Sequence, residues 1–187
     1  MENFDGIRWI RITPESVDLY NCDENFKRLP DSVSSRINEY GKIAAGYSAG
    51  VRARFSTDSD MILVRAGLLL QWDMSFDLYR VDENTGKEYF CCGYRDMYYL
   101  IREGEYSARY GEGCVKNEGK MQYYTLNFPC FAFVEWAEIG IKENASFGKG
   151  LPYNNEKPVV FYGSSITQGG CASHAGNNYT DMLSRRF

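Results

Sequence analysis

No run of about 18 apolar residues occurs anywhere in the chain, so no stretch of it reads as a bilayer-crossing helix. A basic excess is missing as well. The 21 Lys and Arg stand against 25 Asp and Glu, for a formal charge of -4, and the basic residues are scattered among the acids. Phosphate binding needs cations gathered on one face, so neither nucleic acid nor membrane is an expected partner. The amino terminus carries Glu2 and Asp5 and lacks the basic-then-apolar order of a secretory signal, which makes the cytoplasm the expected compartment. Six cysteines are present, but none are spaced as CxxC and the chain is no small secreted scaffold, so free thiols are expected. Cys91 and Cys92 are neighbours in a strand-like stretch, where side chains point to opposite faces and do not share one metal. No metal and no cofactor are expected. Histidine is reduced to one residue, His174.

What is present is ordinary globular chemistry, 44% apolar and 25% charged over 187 residues, enough for one sizeable core and an extra piece. From Ile7 to about Ile141 the apolar residues come in short runs of period two broken by Gly, Asn and Asp, the texture of a sheet-rich domain. Val51, Ala53 and Phe55 alternate with Arg52, Arg54 and Ser56, giving one face to a core and one to water. Met61 to Ala66 follows the turn formers Thr57 to Asp60, so these two strands are expected to pair as a hairpin. Further strands are expected at Met74 to Val81, Lys87 to Gly93, Tyr98 to Arg102, Glu105 to Tyr110, Met121 to Asn127 and Phe131 to Lys142, with turns that include Gly111-Glu112-Gly113. Fifteen Tyr, eleven Phe and three Trp suit the inner faces of a β-sandwich or jelly roll.

Around Ala145 to Lys157 the texture changes to Gly, Pro and Asn, as in a linker. The expected organisation is a β-sandwich domain over 1–150, a linker over 151–157 and the start of a second domain over 158–187. That start reads as a strand, Val159-Val160-Phe161-Tyr162, then the loop Gly163 to Gly169, then a helix from about Asn177 with Asn177 or Asn178 as its cap. A Gly/Ser loop between strand and helix can present a hydroxyl beside backbone N–H groups, although such loops are more often plain turns or phosphate cradles. It is not the GxSxG elbow, because Thr167 stands where the second Gly would be.

The stretch KPVVFYGSSITQGGCASHAGNNYTDMLSRRF resembles block I of the SGNH/GDSL hydrolases, in which a G-D-S or G-S-S turn presents the nucleophile. Upstream, SAGVRARFSTDS, the segment SFDLY (Ser75 to Tyr79) and the run Leu126 to Ile141 resemble the "GxDLY" domain found ahead of such esterases, with Ser75 in place of the motif's Gly. The resemblance implies a mainly β fold, a jelly-roll-like sandwich followed by the first strand, loop and helix of an α/β, flavodoxin-like hydrolase domain. It assigns Ser165 the role of catalytic nucleophile toward small-molecule or carbohydrate acyl esters such as acetylated sugars, working with a downstream catalytic domain. The family's oxyanion-hole Gly and Asn and its closing Asp-x-x-His have no counterparts up to Phe187, so the chain alone is expected to be inactive. The family's base comes near the carboxyl end, so His174 is read as a loop histidine at the pocket mouth. Cys171 is read as packing, and Asp58, Asp60, Asp73 and Asp77 as turn acids outside the chemistry. The alternative function is a non-catalytic carbohydrate-binding or docking module.

Overall fold

The computed structural model describes residues 5–70, 75–94, 99–102, 105–108, 111–114, 117, 119–153 and 157–186. Of the features expected above, Asp73, Met74, Tyr98, Tyr110 and the first four residues lie outside these.

Two antiparallel sheets face each other. One has the order β1 (Ile7–Arg11), β11 (Ala132–Lys142), β4 (Met61–Leu70), β9 (Gly111–Cys114). The other has the order β12 (Phe147–Lys149), β3 (Arg52–Thr57), β10 (Gln122–Asn127), β5 (Phe76–Val81), β6 (Glu88–Tyr94). A further strand, β2 (Asp18–Tyr20), pairs with Arg52 to Arg54 of β3, beside the stretch taken by β12. β7 (Tyr99–Arg102) and β8 (Glu105–Ala108) form a separate ribbon. Before β3 the chain makes two short helices, α1 (Asp31–Ser34) and α2 (Glu39–Ala45), the second capped by Asn38, which accepts from Gly41 N–H.

Period-two patterning builds the core. Ile62, Val64, Ala66 and Leu68 of the first sheet meet Ala53, Phe55, Phe76, Leu78 and Leu126 of the second in one buried cluster. In β11 the inward residues run Val134, then Ala137, Ile139 and Ile141, a step of three where two is normal. A bulge between Val134 and Trp136 absorbs the extra residue and restores the alternation.

Four expectations are corrected. β3 and β4 are not a hairpin but lie in different sheets, because both edges of β3 are already paired, one by β10 and the other by β2 and β12. The turn formers at 57–60 make a corner between sheets, where Thr57 Oγ1 accepts from Ser59 N–H and Ser59 Oγ donates to Met61 O. The second face of β3 is not in water: Arg52 and Arg54 are 6% and 3% exposed. Gly111 to Gly113 belongs to strand β9, paired with β4. Finally, Val159 to Tyr162 forms no strand and leaves Val160 84% exposed, since a strand of a parallel sheet exists only beside a neighbour, and none is paired with it here.

Candidate active site

Ser165 opens a single helical turn, α3 (Ser165–Gln168), with its side chain exposed. The turn is stopped by Gly169 at φ 112°, a left-handed conformation that L side chains rarely adopt. A side chain at Gly169 would also meet Cys130 Sγ at 2.7 Å, so both conformation and space require glycine. The chain then folds back over the turn: Gly170 N–H donates to Ser165 O at 2.6 Å and Ala172 N–H to Gly169 O at 3.1 Å. Behind the turn, Gln168 Nε2 donates to Cys130 O at 3.0 Å, while Arg28 donates to Gln168 Oε1 at 3.2 Å and to Ala44 O at the end of α2. Burial pushes the Arg28 guanidinium below its ordinary pKa.

A second set of contacts comes from β5 and the residue before it. Successive strand residues face opposite sides, so Phe76 and Leu78 enter the core while Ser75, Asp77 and Tyr79 share the outer face. These three hold the backbone that follows the serine turn. Ser75 Oγ accepts from Ala175 N–H at 3.0 Å, and Asp77 Oδ2 accepts from Gly176 N–H at 2.7 Å and pairs with His174 Nδ1. Tyr79 OH donates to Gly176 O at a longer 3.4 Å. Gly176 has no room for a side chain, which would lie 2.7 Å from the Tyr79 ring. Burial, partly opposed by Arg185 stacked on the ring, pushes the Tyr79 hydroxyl up to about 12.

The third set lies on β3. Arg52 pairs with Asp181 of α4 (Tyr179–Arg186) and donates to Ser184 Oγ at 2.7 Å and Tyr153 OH at 3.1 Å. Burial acts to lower the Arg52 pKa, but Asp181 and then Tyr153 outweigh it and hold the cation above its ordinary value. Asn178 Oδ1 accepts from Asp181 N–H at 2.9 Å, capping α4, and its Nδ2 donates to Asp181 Oδ2 and Ala175 O. Arg54 donates to Leu151 O and lies over the Tyr153 ring. Residues 165–186 are thus seated on the outer face of the six-stranded sheet through a polar seam.

The residues singled out from the sequence fall apart in space. Ser165 is exposed on its turn, and no hydrogen bond joins it to His174, whose ring nitrogen is engaged by buried Asp77 and whose ring lies 5.2 Å from that of Phe90. Asp77 is therefore no turn acid but a fully buried strand residue. Asp58 does cap a backbone group, Ser146 N–H, and Asp60 pairs with Lys142. Cys171 is corrected from packing to an exposed residue at φ 64°, and the thiol packed against this segment is Cys130. Where the motif has glycine, Ser75 uses its hydroxyl, which accepts from Ala175 N–H. Cys22, Cys91 and Cys171 are free thiols. Of the two expected caps Asn178 is the one used, whereas the pairing of Arg52 with Asp181 is not read from the sequence, where its signal is arginine on alternate positions of a strand whose other side is apolar.

Residues 10–147 match the family model GxDLY, described as the N-terminus of Esterase_SGNH_hydro-type, and residues 156–187 match the GDSL-like Lipase/Acylhydrolase family. The chain belongs to the SGNH/GDSL hydrolase family and includes its GxDLY amino-terminal region. Among solved structures it is similar to a protein from Bacteroides ovatus described as a GDSL-like lipase, with TM-score 0.79 and 24% identity, over 96% of this chain and 53% of that one. It is also similar to the salicylyl-acyltransferase SsfX3 from a tetracycline biosynthetic pathway, with TM-score 0.58 and 16% identity, over 97% of this chain and 49% of that one. The chain thus spans about half the length of both. A comparison with curated proteins finds no match. Among the described residues no helix is long and apolar enough to cross a membrane.

Proposed function

We propose that this chain is the amino-terminal part of a serine esterase in which Ser165 attacks the carbonyl carbon of an acyl ester, such as an acetylated carbohydrate. The single observation carrying this reading is an exposed serine hydroxyl on a one-turn helix that the sandwich backs through Cys130, Gln168 and Arg28. A serine hydroxyl needs a base to take its proton. Among the described residues none is hydrogen-bonded to the Ser165 hydroxyl, and the proposed base and oxyanion donors come from a catalytic segment beyond residue 187. Attack forms the acyl-serine and releases the alcohol, which takes up the proton; water then attacks the acyl-serine, releases the acid and restores the hydroxyl. The sandwich serves as the platform for the serine turn. A carbohydrate-binding role for it is less supported, since Trp9 and Trp136, on the outer side of the first sheet, are stacked under Arg65 and Arg11, which share Glu138.

The test is hydrolysis of p-nitrophenyl acetate by this chain beside a version extended through the downstream reading frame, each with a Ser165→Ala control. The extended protein is expected to be active, with the substitution removing activity by about 10⁴-fold or more, and this chain alone to show no Ser165-dependent turnover. Activity that survives Ser165→Ala in the extended protein overturns the assignment.

A further inference from the structure

We propose that Asp77, assisted by Ser75, is a positioning residue for the serine turn: the outer face of the SFDLY strand sets where Ser165 stands. The inference rests on the reading of Ser165 as nucleophile. Its physical basis is a continuous path of contacts. Asp77 is fully buried, and its carboxylate takes the Gly176 N–H and the His174 ring nitrogen together, while Ser75 takes the adjacent Ala175 N–H. Three consecutive residues, 174 to 176, are therefore fixed to one strand. Five residues upstream of Ala175 the same segment lies against the nucleophile, with Gly170 N–H on Ser165 O and Gly170 so close that a side chain there would meet the Ser165 carbonyl oxygen at 2.8 Å. The other end of the turn is held by Gln168 on Cys130 O. Charge-assisted bonds to a buried carboxylate are strong and geometrically demanding, so they suit a part that must hold a backbone still.

His174 has a defined place in this scheme. A carboxylate only accepts, so Asp77 selects the tautomer with the proton on Nδ1 and takes a hydrogen bond from it; the pair orients the loop rather than the hydroxyl of Ser165, to which His174 is not hydrogen-bonded. The sandwich thereby contributes to catalysis without touching substrate. A displacement of the serine by about 1 Å costs roughly 100-fold in rate, so a modest loosening of this clamp is measurable.

The experiment has two arms. In the protein extended through the downstream reading frame, kcat and KM for p-nitrophenyl acetate are measured for Asp77→Ala, Asp77→Asn, Ser75→Gly and His174→Gln, with melting temperature as a check of folding. Asp77→Ala is expected to lower kcat by about 10- to 100-fold with KM within about twofold, and Asp77→Asn, which keeps an acceptor for Gly176 N–H, to recover part of the loss. In the second arm, amide exchange of this chain is compared with and without His174→Gln and Ser75→Gly, two milder changes that serve if Asp77 variants do not fold. Faster exchange at Ala175 and Gly176 that spreads to Gly170 supports the clamp. Unchanged kcat in a folded Asp77→Ala protein, or Gly170 exchange that ignores the loosened loop, overturns it. Survival of activity in Ser165→Ala sinks the nucleophile reading alone, because the exchange arm does not depend on turnover.

Discussion

The two faces of the six-stranded sheet are built from opposite chemistry. The inner face, with Phe55, Phe76, Leu78, Tyr124 and Leu126, meets the other sheet in a cluster whose hydrophobic members touch one another. The outer face, with Arg52, Asp77 and Tyr79, is just as buried but meets residues 174–186 through ions and hydrogen bonds. The first contact is non-directional and tolerates sliding; the second fixes one register, because each misplaced donor or charge is left without a partner in a dry place. The inner face packs with hydrocarbon, and the outer face seats residues 174–186 with polar atoms.

Three measurements sharpen this contrast, taken from the largest expected effect to the smallest. Phe55→Ala removes a fully buried ring stacked between Tyr124 and Phe147, each 5.5 Å away, and is expected to cost about 3–5 kcal/mol of global stability in urea unfolding. A loss below about 1 kcal/mol would mean that the sheets re-close around the hole. Asp181→Ala strands Arg52 and is expected to cost up to about 3–5 kcal/mol, read as lost amide protection confined to residues 174–186, whereas the double change Arg52→Met with Asp181→Leu recovers most of it. Failure of the double change to recover protection would show that the pair stabilises the seam rather than selecting its register.

The third is a pH effect. Burial raises Cys22, Tyr79 and Tyr124 each to about 12, above ordinary values of 9 for the thiol and 10 for the phenols. The folded state therefore holds these protons more tightly than the unfolded one. The stability they contribute is fully present below about pH 9 and is lost as pH rises toward about 12. Urea midpoints are expected to be level between about pH 7 and 9 and to fall between about pH 9 and 11.5; a flat profile to pH 11.5 contradicts the burial of these groups.

The inner face was legible in the sequence and the outer face was not, for the same physical reason. Period two in Val51, Ala53 and Phe55 is a local signal, and each residue carries its own instruction to be buried. Arg52 also alternates, but whether arginine meets water or a buried aspartate depends on Asp181, 129 positions away. The hairpin expectation failed likewise, because turn formers at 57–60 specify a reversal but not which sheet receives the next strand. Val159 to Tyr162 shows the limit from the other side: its composition asks for a strand, and pairing, which it lacks here, is what makes one. At Ser165 the residues marked a turn between two elements, and only the resemblance gave it a role.

The seam also has a direction in time. Its sandwich-side members, from Arg28 and Arg52 through Ser75 and Asp77 to Tyr153, precede Ser165 in the chain, and a ribosome delivers them first. The mould is synthesised before the piece it shapes. In this chain the surface that receives residues 165–186 is complete before those residues are made.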